Sequence, residues 1–374
     1  MAISGVLVLA LLGWALTLRP RPIDEQEHQH GQSDIGRVTF LTSCNAEVHE
    51  EFERGVALLH SFWFAPARAA FTAVSEADST CVMAHWGIAM TWLGNPLTGA
   101  APPPAAMQAG LAAIERAREL GAPTQRERDY VEALAIMYEN PTVVDHRGRS
   151  QVYSEAMELL SRAYPEDREA AIFYGLALNM TWDPYDKTFV NALKAAAILE
   201  AVYYETPEHP GITHYLIHSY DYPPLAQQGL PAAFRYGGLA PAVPHAQHMP
   251  SHIFTRVGQW QDSVESNTRS IAAVLAGSGE RQPGQAFADE IHPMDYLMYA
   301  YLQLAQDSNA TALRDELREF QGGPANAGTA YGFAASPARY ALERNAWAEA
   351  VALPLHPEAF PWSQFPEAEA VTHF

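Results

Sequence analysis

Residues 209–221 read HPGITHYLIHSYD and residues 248–260 read HMPSHIFTRVGQW; the histidine pair of the first, His214/His218, recurs in the second as His248/His252, 34 residues on at both positions. That period is the length of one helix-turn-helix unit in a stacked array, so the pairs occupy equivalent turns of equivalent helices in neighbouring units. The two units run from about Pro210 to Val243 and from Pro244 to Gly277. Pro241 holds the terminal-proline position of the first, and Gly258, Trp260 and Ser263 give the second the Gly-x-aromatic-x-x-small pattern of a helix-to-helix turn.

Outward from these units the same rhythm continues. From Glu47 on, amphipathic stretches alternate with short Gly/Pro/Asp connections and no run alternates with a period of two, so the fold expected is all-α. The pattern predicts helices over Val48–Phe62, Val82–Leu93, Ala105–Leu120, Gln125–Tyr138, Gln151–Ala163, Glu169–Thr181 and Phe189–Tyr204 before the two units. After them it predicts His292–Gln306, Ala310–Phe320, Thr329–Asn345 and Trp347–Leu353. The architecture expected is a right-handed solenoid of about seven to eight helical hairpins over residues 47–353. Residues 354–374, with Phe360, Trp362, Phe365 and Phe374, are too aromatic for a free tail and read as an irregular cap.

Of 374 residues, 48% are hydrophobic and 11% aromatic, ample for a continuous core. A formal net charge of −20 and only two lysines leave no basic face to displace counterions, which excludes nucleic-acid binding and electrostatic docking on an anionic membrane. Residues 1–18 carry no charged side chain and suit a signal peptide or a membrane anchor, with Arg19 and Arg21 following the apolar run; a buried first helix is the alternative. Residues 19–46 read as a disordered tether holding His28 and His30. The localisation this implies is exported, periplasmic or extracytoplasmic, with any membrane contact made through residues 1–18. The only two cysteines, Cys44 and Cys81, either pair across the first hairpin or stand as a loop thiol and a small buried residue.

The segments FERGVALLHSFWFAPARAAF (52–71), CVMAHWGIAMTW (81–92) and HPMDYLMYAYLQ (292–303), with the two already quoted, resemble bacterial tetratricopeptide-repeat proteins of largely unassigned function. The resemblance spans Gly36 to Gln306. It implies a right-handed helical-hairpin superhelix, often in an exported protein, and it implies no reaction. The loop NPLTGAAPPP (95–104) departs from the family's aromatic and proline-tryptophan loop.

Six of the fifteen histidines lie between His209 and His252. Residues four apart share a helix face, so each pair can grip a metal as in the H-E-x-x-H motif, here without its glutamate. The stripes extend to His214/His218/Asp221 and His245/His248/His252. Facing each other across the inner groove, the two pairs are expected to close on one transition-metal ion, zinc or copper, with His245 beside them and Asp221, Asp262 and Glu265 as outer partners. Asp221 and Asp295 are the candidate proton acceptors of a metal-assisted reaction. His60, His85, His292 and Tyr296 would extend the groove, or else simply pack. The competing reading is a non-catalytic scaffold that binds a peptide or partner protein along the concave surface, its histidines and tyrosines serving as contacts. Phosphate-binding loops, dinucleotide fingerprints, Gly-x-Ser-x-Gly and Cys-x-x-Cys motifs are absent.

Overall fold

The computed structural model describes residues 34–374, and apart from an isolated bridge between Gln285 and Gly322 every regular element among them is helical. In chain order the α-helices are α1 (His49–His60), α2 (Phe64–Ala77), α3 (Val82–Trp92), α4 (Pro104–Leu120), α5 (Gln125–Ala135) and α6 (His146–Ala163). Then come α7 (Arg168–Met180), α8 (Val190–Tyr203), α9 (Pro210–Tyr220), α10 (Leu230–Leu239), α11 (Pro244–His248) and α12 (Pro250–Val257). The last are α13 (Trp260–Gly277), α14 (Ile291–Gln303), α15 (Asp307–Glu319), α16 (Ala327–Glu343), α17 (Trp347–Val351) and α18 (Pro366–His373). They form eight hairpins among the described residues, with α11 and α12 together acting as one arm opposite α13. The second helix of one hairpin also packs on the first of the next, as α2 does on α3, α8 on α9 and α13 on α14, which makes the array an all-α solenoid.

Local chemistry sets the helix ends. Thr124, Asp145, Asp167 and Asn326 each accept a hydrogen bond from the backbone N–H three residues on, which satisfies a donor the helix cannot. The helix expected over Val48–Phe62 stops at His60, because Phe62 takes a left-handed backbone (φ 55°) that ends the helical path. Pro250, lacking an N–H, divides α11 from α12. Side chains of α13 take up carbonyls along that arm: Ser266 donates to the carbonyl of Gln247 and Ser270 to that of Pro244. This polar seam separates two apolar cores, one running from Ile35 to Phe254 and one from Ala286 to Ala368.

The tether expected over residues 19–46 is corrected in its described part. Ile35, Val38 and Phe40 are buried, Phe40 packs on Phe52, Trp86 and Tyr130, and Arg37 N–H donates to the carbonyl of Glu208. Apolar side chains at 38 and 40 fall on one side of an extended chain and are worth more buried than in water. Residues 1–18, with the expected signal or anchor, and His28 and His30 lie outside the described residues. Among those described, no helix is long and apolar enough to cross a membrane. Cys44 and Cys81 form a disulfide, their Cα atoms 4.7 Å apart, so the paired reading of the cysteines holds. Over residues 354–374, Phe360 and Trp362 are buried and α18 packs on α16. The winding is tight enough that α1 touches α9, which brings the end of the first hairpin onto the histidine helix.

Candidate metal centre

Helix α9 starts at Pro210, whose missing N–H costs nothing at a helix start, and is buried nearly all round, with Ile212, Tyr215 and Ile217 inaccessible. His214 and His218, one turn apart on it, share a face. His214 Nε2 lies 3.1 Å from His218 Nε2 and 3.1 Å from His245 Nε2. One repeat later, His248 of α11 and His252 of α12 bring their Nε2 atoms to 3.0 Å, and His292 of α14 stands against them with its ring centroid 4.6 Å from that of His248. Each trio offers three ring nitrogens within 4.8 Å of one another.

The expectation that the two pairs close on a single ion is therefore corrected. His245, rather than His248 or His252, closes on the α9 pair, and α14 supplies the third imidazole to the other pair. The trios adjoin: the ring centroids of His218 and His252 are 6.4 Å apart, as are those of His245 and His248.

Outer contacts set which nitrogen is bare in three of the rings. His214 Nδ1 faces the carbonyl of His60 at 2.6 Å, an acceptor only, so Nδ1 carries the hydrogen and Nε2 a lone pair. His252 Nδ1 donates likewise to Asp221 Oδ2 at 2.9 Å, and His248 Nδ1 to Asn267 Oδ1 at 2.7 Å. The Asn267 amide is oriented by its own donation to the carbonyl of Ser263. Consequently His248 and His252 point two lone pairs at each other across 3.0 Å, an arrangement that is repulsive until a cation, a metal ion or an extra proton, sits between them. Three imidazoles around a tetrahedral ion at about 2.0–2.1 Å would hold their nitrogens roughly 3.3 Å apart, close to the 3.1 Å of His214 from His218 and His245 and the 3.0 Å of His248 from His252. His292 adds a buried Nδ1 with no hydrogen-bond partner.

Burial, seconded by neighbouring histidines, pushes His214, His218, His245, His248 and His292 toward the neutral, metal-binding form. His214, His245 and His248 are pushed well below the usual range, and His218 and His292 down to about 3. Asp221 stays a carboxylate: burial pushes it up, but His252 and Arg256 outweigh that and hold it at about 2. Its second oxygen accepts from Arg256 Nε at 2.8 Å. Phe62 roofs the first trio, edge-on to His214 at 4.4 Å and stacked over His245 at 5.6 Å, which explains why the chain holds it in a left-handed conformation.

Behind His214 lies a third buried group. His60 Nε2 and His209 Nε2 donate to the two oxygens of Glu169 at 2.9 and 2.8 Å, and Tyr215 donates its hydroxyl hydrogen to His60 Nδ1 at 2.9 Å. Burial alone would raise Glu169, yet these two imidazoles hold it at about 2. The network fixes His60, whose carbonyl in turn orients His214. Gly211 lets α9 come this close, since a Cβ there would meet His60 Nδ1 at 2.6 Å.

Two cavities reach the trios. One of about 590 Å³ touches His218, Asp221, Trp182 and Arg256; another of about 490 Å³ touches His252, His292, Asp295 and Tyr296. Tyr296 stacks on His252 at 4.8 Å. Asp295 is buried, and burial raises it to about 6 against the pull of Arg339. Arg339 Nε approaches Asp295 Oδ1 to 2.9 Å but out of line, so both carboxylate oxygens and that Nε lack a hydrogen bond.

The structure thus brings together His214, His218, His245, His248, His252 and Asp221, and adds His292. It separates His60, which belongs to the Glu169 network, and His85, which belongs to no cluster of potential ligands among the described residues. Asp262 and Glu265 are corrected as outer partners: Asn267 takes that role, while Glu265 is exposed and bonded by Gln261. Helix α13 turns its Ser263, Ser266, Asn267 and Ser270 face inward, which carries Glu265 outward. Glu169, Asn267 and Phe62 as site residues escaped sequence reasoning; of these only Asn267, a polar residue on the serine face of α13, had a local signal.

No family model matches the chain, and no curated protein matches it. Among solved structures it is similar to the crystal structure of the P58(IPK) TPR domain, 11% identical, over 87% of this chain and 98% of that one, with a TM-score of 0.22. So loose a superposition carries no weight for fold or function.

Proposed function

We propose that this chain binds two transition-metal ions side by side, one on His214, His218 and His245 and one on His248, His252 and His292, and uses them in metal-assisted chemistry. The observation that carries the reading is the pair of bare nitrogens of His248 and His252, 3.0 Å apart while both Nδ1 atoms are committed to acceptors. Six imidazoles with no carboxylate among them suit zinc or copper and not magnesium or calcium. Three protein ligands leave each ion an open position, where it polarises a carbonyl or activates water. Asp221, engaged at both oxygens, orients His252; Asp295, with both oxygens free of hydrogen bonds, is the proton acceptor. A peptide-binding scaffold would spread its histidines along an open groove, whereas here they converge with His214 and His248 fully buried, which favours the metal reading. The hairpin array and its 34-residue period support kinship with bacterial tetratricopeptide-repeat proteins. The disulfide supports an oxidising, extracytoplasmic location, reached through residues 1–18 as signal or anchor.

Metal analysis by mass spectrometry tests this on the full untagged chain, purified without chelator and then offered zinc or copper. About two ions per chain are expected, and about one in a folded His248→Ala variant. Folded wild-type protein that stays metal-free overturns the reading.

A further inference from the structure

We infer that the cavity of about 490 Å³ beside His252 and His292 is a binding site for a neutral aromatic ring bearing a hydroxyl group. The inference names the substrate class of the metal site proposed above and rests on that reading for its chemistry, though not for binding itself.

The walls are aromatic. Trp260 meets Tyr299 edge to face at 5.3 Å, Tyr296 and Tyr331 complete the lining, and the guanidinium of Arg339 covers Tyr299 at 4.7 Å. Such surfaces accept a flat ring by offset or edge contacts. The charges of the cavity are already balanced in pairs, Arg256 with Asp221 and Arg339 with Asp295, so no surplus charge remains to select an ion. What remains unmet is hydrogen bonding. Asp295, 1% exposed and in the wall of the cavity, has two buried oxygens that accept no hydrogen bond, and Arg339 Nε, 2.9 Å from one of them but out of line, donates none. A hydroxyl group supplies both, donating to the carboxylate and accepting from the guanidinium. His252 and His292 line the same cavity, so a ring held by its hydroxyl at Asp295 lies next to the second histidine trio.

The test is equilibrium binding of 4-nitrophenol to the full chain, read by its absorbance at a pH kept below the phenol's own ionisation so that the probe is neutral, with the protein both metal-loaded and stripped by chelator. 4-Nitroanisole, which lacks the hydroxyl hydrogen, and methyl glucoside, which lacks the ring, serve as competitors. One equivalent of 4-nitrophenol is expected to bind in both states. On the order of tenfold weaker binding is expected for 4-nitroanisole and for the Asp295→Asn variant, as follows from losing a hydrogen bond to a buried charged group. Trp260→Leu, at a partly exposed wall, should weaken the phenol similarly and covers the case in which Asp295→Asn does not fold. Equal affinity for phenol and anisole, tighter binding of the glucoside, or unchanged binding in both variants overturns the inference. Failure of the metal reading is seen separately, as absence of metal from protein that still binds the phenol.

Discussion

Two buried clusters each bring two imidazole Nε2 atoms to hydrogen-bonding distance of a partner, and they differ in what those nitrogens face. In the His60–Glu169–His209 group both Nε2 atoms face a carboxylate, so every short contact is a donor meeting an acceptor. In the His248–His252–His292 group Nε2 faces Nε2, because Asn267 and Asp221 have claimed the hydrogens on the far side of the rings. Burial and residue type alone would rate the clusters alike. The direction of each hydrogen bond separates a network whose short contacts are satisfied as they stand, with His209 Nδ1 alone left over, from a site whose short contact asks for a cation.

The largest expected effect breaks the first cluster. Glu169→Ala strands two imidazole donors in the core and should cost about 3–5 kcal/mol in urea unfolding of the metal-free protein. Removing His292, already carrying an orphan nitrogen, should cost the metal-free protein much less than that. Equal losses for the two variants would erase the distinction.

Next in size is the lock on His252. Asp221→Asn frees that ring to exchange tautomers and should weaken metal binding at the second centre about 10- to 100-fold by competition with a chromophoric chelator. Glu265→Gln, on the outer face of α13, should leave affinity unchanged. Comparable losses in both would mean that general negative charge, not orientation, governs affinity.

The smallest effect is set by acid. His218 and His292 are lowered to about 3 in the fold from an ordinary value of 6.5. A depressed folded value means that the unfolded chain binds protons first, so stability present above pH 6.5 is lost as pH falls toward 3. By pH 6 the metal-free protein should have lost about 1 kcal/mol per ring, by thermal or urea unfolding. Glu169, lowered from 4.5 to about 2, contributes its own loss below pH 4.5, while the burial that lowers His60 beside it adds to the loss below pH 6.5. A metal-free protein whose stability is flat between pH 7 and 5 would contradict the burial of the trios.

The repeat was readable because two helical pairs at a common spacing force equivalent positions, and five of the six proposed ligands followed from it. His292 was visible only as an outlying groove residue, since it lies 40 residues after His252, the loop before α14 having lengthened the unit. The pairing of histidines into trios was not readable either, because it depends on how separate helices are set against one another, which no single helix encodes. Glu169 meets His60 across 109 residues of chain, with no spacing to betray it. The disulfide could be proposed and not chosen, because both alternatives bury Cys81.

The contact between α1 and α9 has a kinetic meaning. Arrays of this kind are held by neighbours and can begin folding anywhere, yet His214 takes its orientation from a carbonyl 154 residues earlier in the chain. That closure belongs to the slow class of long-range contacts, so the first histidine trio matures only after the first and fifth hairpins have met. A chain interrupted before α9 would carry sound hairpins and no trio, and metal capture would thereby report that the superhelix had closed.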